Sequence, residues 1–92
     1  MRGIELIYAE RERQINAEGW TFEHDDQHDD GELAMAAACY AAWPQDTLYG
    51  LWPFDAEWDK RKKHDRIRQL TIAGALIAAE LDRLLRAREV KP

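Results

Sequence analysis

Residues 19–33 read "GWTFEHDDQHDDGEL", a short run that holds two histidines and six carboxylates. Imidazole and carboxylate are the side chains that ligate divalent metals and pass protons near neutral pH. All three histidines of the chain precede an aspartate, in the pairs His24-Asp25, His28-Asp29 and His64-Asp65. A dinuclear metal centre needs further ligands spread over several helices, and the chain has no histidines left to supply them. Carboxylates three or four residues apart on a helix share a face, whereas those two apart do not. Asp29 and Glu32 have the first spacing but straddle an expected helix start, and Glu80 and Asp82 have the second. No nucleophile with a base, no glycine-rich phosphate loop and no closed zinc motif is present. The residues therefore point to binding more than to catalysis, with no metal and no cofactor expected. The stretch "EHDDQHDD" is expected to cap the following helix through Asp29 or Asp30 and to hold His24 or Asp25 at the edge of a pocket.

A second constellation lies further along. "KRKKHDRIR" places Lys60, Arg61, Lys62, Lys63, Arg66 and Arg68 at the start of a helix, where cations oppose the macrodipole and need compensation. The acidic run could supply it, and so could an external phosphate drawn to free backbone N–H groups and basic side chains. Trp52 and Trp58 flank the basic run, and Trp20 sits beside the acidic one. Their rings suit stacking on a base or sugar as well as core packing. The candidate ligand-binding residues are Trp20, His24, Asp25, Trp52, Trp58, Lys60 and Arg66. Their expected partner is a nucleotide-type small molecule, with rings for the base and cations for the phosphate.

Three helices are expected to position these residues. Residues 4–17 have the mixed apolar and charged pattern of an amphipathic helix stopped by Gly19. The alanine-rich "ELAMAAACYAAW" forms a second helix that Pro44 ends, and its small side chains let a neighbour approach closely. Residues 45–63 carry Gly50, Pro53 and the rings of Tyr49, Trp52, Phe54 and Trp58, the pattern of a long, ordered, aromatic-rich loop. The last helix is expected from about His64 or Asp65, with Asp65 as cap, to about Arg88. Its stripe of Ile67, Leu70, Gly74, Ile77, Leu81 and Leu84 has three-four spacing. The predicted fold is mainly α, three helices with a long aromatic-rich loop between the second and third. Leu33, Ala37, Tyr40, Leu70, Gly74, Ile77 and Leu81 are expected in its core. "TIAGALIAA" is apolar nearly all round, so the last helix is either sandwiched in the core or shared with another copy in a homo-oligomer.

Ninety-two residues make one small domain. Hydrophobic residues at 46% with four Trp favour a packed domain over an acidic disordered chain, although 34% of residues are charged. A net charge of -5 argues against stable nucleic-acid binding. The N-terminal residues lack the apolar core of a secretion signal, and no apolar run approaches the ~18 residues of a membrane span, so a cytoplasmic protein away from membranes is expected. The lone Cys39, in "AAACYAAW", reads as a buried small residue between helices.

Some of these motifs also resemble known families. The HD dipeptides resemble those of the metal-dependent HD phosphohydrolases, and the helical acids are similar to those of the MazG-type nucleotide pyrophosphohydrolases, an alternative that would make the protein an enzyme. "EGWTFEHDD", the polar turn and helix after it, and "KHDRIRQLTIAGALI" with its Asp-Arg pair resemble a divergent ryanodine-receptor-type (RyR-like) repeat domain over most of residues 1–92. The arginine that this family carries just ahead of Gly-Trp is displaced here to Arg13, and its His-Pro step is absent, since His28 is followed by Asp29. The pattern around "ERERQINAEGWTFEHDDQHDDGELAMAAACYA" is also similar to small phage and prophage proteins. The resemblance implies recognition of an ADP-ribose-like or cyclic-nucleotide immune messenger. A stand-alone copy would act as a sponge in an anti-defence role, in the host cytoplasm if phage-encoded. A protein-interaction module that binds a host factor is the further alternative.

Overall fold

The computed structural model describes residues 1–45 and 50–90 and is mainly helical, with no strand among them. Four α-helices follow one another: α1 (Gly3–Asn16), α2 (Phe22–Asp26), α3 (Glu32–Ala42) and α4 (Arg66–Val90). The 25 residues of α4 make it the spine, and α1, α2 and α3 all pack against it.

The fourth helix corrects the expectation of three. Thr21 is extended and its hydroxyl accepts from the His24 N–H at 3.4 Å, which starts α2 inside the acidic run. Gly19, at φ +73°, turns the chain after α1, and the Trp20 N–H returns to the Gln14 carbonyl at 2.9 Å. The start of α3 also differs from expectation, because neither Asp29 nor Asp30 caps it. Gly31 takes the N-cap position in the left-handed region, at φ +83°, with no side-chain cap bond. The Glu32 carboxylate folds back over the turn ahead of the helix, where Oε1 accepts from the Asp30 N–H at 2.6 Å. A hydrogen bond from its own backbone N–H, helped by those from the Asp30 N–H and His28, holds the Glu32 carboxyl below its ordinary value against the opposing effect of burial. Asp65 caps α4 as expected, accepting from the Arg68 N–H at 2.8 Å.

The core joins Leu33, Ala36, Ala37 and Tyr40 of α3 to Ile72, Ala73, Leu76 and Ala79 of α4. The expected burial of Leu33, Ala37 and Tyr40 is observed. Gly74 is partly buried beneath Ile7 of α1, whose Cδ1 would lie 2.5 Å from a Cβ at that position. Leu70, Ile77 and Leu81 are not core residues: they are 46, 50 and 55% exposed. The physical reason is that α4 carries two apolar stripes. The one with small residues, Ala73 and Ala79, meets the alanines of α3, because only small side chains let two helix backbones close up. The stripe of large residues, Ile67, Leu70, Ile77, Leu81 and Leu84, is left outward.

The chain between α3 and α4 is not simply loop. Two 3-10 turns, Ala56–Trp58 and Arg61–Lys63, order its second half, and Tyr49 of the expected aromatic loop lies outside the described residues. Cys39 of α3 is fully buried, and that burial pushes its thiol up from the ordinary value. Between α1 and α4 the buried Glu10 carboxylate accepts from Arg13 Nε at 2.8 Å and from Arg68 of α4. No described helix is long and apolar enough to cross a membrane.

Candidate functional site

A cavity of about 260 Å³ opens beside the core, lined by Trp20, His24, His28, Leu33, Ala36, Tyr40, Trp52, Phe54, Trp58, Ile72 and Leu76. Leu33, Ala36, Ile72 and Leu76 form an aliphatic wall, and the other lining residues are rings. The rings make a continuous chain of contacts. Trp20 lies parallel to His24 at 5.6 Å and 3° between planes, and His24 meets His28 edge-on at 5.0 Å. His28 meets Phe54 at 5.2 Å, Phe54 meets Trp52 at 5.8 Å, and Trp52 meets Tyr40 at 5.9 Å. Trp58 completes the lining and stays 54% exposed.

Local structure explains how residues far apart in sequence reach this cavity. Trp20, His24 and His28 recur every fourth residue through the Gly19 turn and α2, so they fall on one side of that segment. Trp52 is held from two directions. Its Nε1 donates to the Asp55 carbonyl at 3.1 Å, and the Arg61 guanidinium sits 4.9 Å from its ring centre and 5.1 Å from that of Trp43. Arg61 is itself buried and makes a two-pronged ion pair with Asp59, Nε to Oδ1 at 2.7 Å and Nη2 to Oδ2 at 2.6 Å. Tyr40 is buried as well, which raises its hydroxyl above the ordinary tyrosine value.

Behind the ring wall lies a polar relay. His24 Nδ1 is 2.9 Å from Asp25 Oδ1, and the other carboxylate oxygen accepts from Arg11 Nη2 at 2.8 Å. Asp25 is fully buried and Arg11 nearly so, with Arg11 Nε and Nη1 finding no partner among the described residues. His28 has a looser counterpart, Nδ1 3.4 Å from Glu32 Oε2.

Trp20, His24, Trp52 and Trp58, four of the seven residues singled out from sequence, line the cavity. Asp25 stands one layer behind, against His24. Lys60 and Arg66 are not among the lining residues. Lys60 is exposed, while Arg66 donates through Nη2 to the Ala41 carbonyl at 2.6 Å and through Nη1 to that of Tyr40 at 3.4 Å. For the three arginines of the basic run the compensation is internal, but it does not come from the acidic run. The C-terminal carbonyls of α3 take Arg66, Asp59 takes Arg61, and Glu10 takes Arg68. Asp26 of the acidic run pairs with Arg86 of α4 at 2.7 Å instead.

Sequence reasoning missed His28 and Phe54 as lining residues and Arg11 as the partner of Asp25. The four-residue recurrence of rings at positions 20, 24 and 28 was a usable signal for His28. Arg11 gave none, since it lies a turn and a helix away from its partner. No group of three or more His, Cys, Asp or Glu side chains suited to a metal ion occurs among the described residues. Glu80, one of the acids weighed for a hydrolase, is paired with Arg83 at 2.7 Å. What fold and site define together is a small helical domain with an aromatic pocket. No family model matches the chain, and neither the curated proteins nor the solved structures give a match.

Proposed function

We propose that the protein binds a phosphorylated nucleotide signal, of the ADP-ribose-like or cyclic-nucleotide kind, without covalent attachment and without converting it. The observation that carries this reading is the ring wall, seven imidazole, indole and phenyl side chains around one cavity of about 260 Å³. That volume lies just under the ~300–1,000 Å³ range of small-molecule pockets, so it suits one ring system with the rest of the ligand outside. The exposed Lys60, two residues beyond Trp58, is the candidate cation for the phosphate. The resemblance to RyR-like domains and to small phage proteins supports sequestration of an immune messenger in the host cytoplasm.

Thermal-shift screening against ADP-ribose, cyclic ADP-ribose isomers, cyclic di- and trinucleotides and nucleoside triphosphates tests the reading. The bound ligand is then released by heat and analysed. A sequestering protein returns its ligand unchanged and gains stability as RT ln(1 + [L]/Kd), about 2.7 kcal/mol at a hundredfold excess over Kd. Recovery of product would favour the pyrophosphohydrolase alternative. Trp58→Ala, at a half-exposed ring, is expected to weaken binding while leaving the melting temperature of the free protein nearly unchanged.

A separate observation, the outward stripe of large apolar residues on α4, favours a protein partner in addition. We infer that its occupant is a second copy of the chain, with a host protein as the other reading. Contiguous apolar patches beyond a few hundred Å² are rare on monomers, and six Leu and Ile side chains of α4 are each 43–69% exposed.

A further inference from the structure

The polar relay behind the pocket fixes what the pocket can recognise. Both oxygens of the buried Asp25 face donors, Arg11 on one side and His24 on the other. A guanidinium cannot give up its proton in a protein, and an ionised carboxylate only accepts. The His24 nitrogen facing Asp25 therefore carries the hydrogen, and whenever the ring holds a single proton Nε2 is left as an acceptor. Nε2 lies on the opposite edge of the imidazole, and none of the described residues is hydrogen-bonded to it. Trp20 stacks on the ring and His28 meets it at a steep angle, which fixes its place in the cavity wall. In a cavity walled by aromatic and aliphatic side chains, an acceptor held in this way selects for a donor.

We propose that His24 Nε2 accepts a hydrogen bond from an exocyclic amino group on the ligand's ring, so that the pocket prefers an aminopurine of the adenine type. Asp25 and Arg11 act as positioning residues that hold the tautomer. This rests on the nucleotide-binding reading above and names the ring that the reading leaves open. Guanine also carries an amino group, but its ring carbonyl would add an acceptor to a cavity whose lining is mainly apolar.

The test compares adenosine 5′-monophosphate with purine riboside 5′-monophosphate, the same nucleotide without its amino group, by titration calorimetry. The wild-type protein is expected to bind the amino compound about tenfold more tightly, the effect of one hydrogen bond in a desolvated site. His24→Phe keeps a ring against Trp20 but has no acceptor, and is expected to bind both nucleotides equally. Asp25→Asn releases the tautomer and is expected to shrink the preference, a readout that a purely structural role would leave alone. Melting curves and circular dichroism confirm that each variant is folded, and the wild-type comparison stands without them. Equal binding of the two nucleotides by the wild type, or a preference kept by folded His24→Phe, overturns the inference and leaves nucleotide binding intact. Failure of the wild type to bind either nucleotide or any other screened nucleotide removes both.

Discussion

Removing the Asp25 carboxylate would leave the Arg11 guanidinium buried without its counter-charge, because two of its nitrogens already have no partner among the described residues. Breaking a buried ion pair from one side costs about 3–5 kcal/mol, mostly as the penalty on the charge left behind. Asp25→Ala is expected to lower urea stability by that amount, and Arg11→Met combined with Asp25→Ala by less than the sum of the single changes. Additive losses would show that the two side chains do not act as a pair. Glu10 makes a different prediction, in pH. Burial alone would raise its carboxyl, but hydrogen bonds and charge from Arg13 and Arg68 outweigh it and hold the group below its ordinary value of 4.5. A depressed carboxyl stabilises the fold above that ordinary value, and the contribution is lost as pH falls through the lower, folded-state value. Urea midpoints should therefore drop below pH 4.5, and Glu10→Gln should flatten the drop. At this scale the sequence showed which side chains were chemically notable, and Trp20, His24, Trp52 and Trp58 do share a cavity. Pairings such as Arg11 with Asp25 were not legible, since many cations were equally available to each acid.

Helix boundaries were legible wherever local chemistry decides them. Gly19 ends the first helical stretch, Pro44 follows the end of α3, and Asp65 caps α4. The start of α3 was misread because a glycine in the left-handed region and a back-folded Glu32 replace a side-chain cap, and nothing in residue type alone ranks the two solutions. The face of α4 was misread for a related reason. Two apolar stripes run along that helix, and which one meets α3 depends on how closely the alanines let the axes approach. Gly74 lies between these outcomes, partly buried beneath Ile7. Gly74→Leu is expected to displace Ile7 and cost about 1–3 kcal/mol, measured by chemical denaturation. Unchanged stability would show that α1 shifts on α4 freely.

For the whole molecule, the outward stripe predicts assembly. Light scattering at high micromolar concentration is expected to give a mass of at least two chains, and Ile77→Asp with Leu81→Asp to return a folded monomer. A monomeric wild type would leave the stripe to a different protein partner. The mainly helical class followed from composition and periodicity. The cavity did not, because it forms where α2 and the chain ahead of α4 come together over the α3–α4 core, an arrangement that depends on tertiary packing.

The sealed thiol of Cys39 turns this architecture into a clock. A fully buried sulfur with a raised pKa is inert to thiol reagents until α3 lifts away from its neighbours. With reagent in excess, the labelling rate then measures how often that opening occurs. Leu33, Ala36 and Tyr40 of the same helix line the cavity, so an occupant must be released, or carried along, each time α3 departs. Protection of one sulfur could reveal capture in a crude extract before the captured compound is known, and its slow return would time the escape.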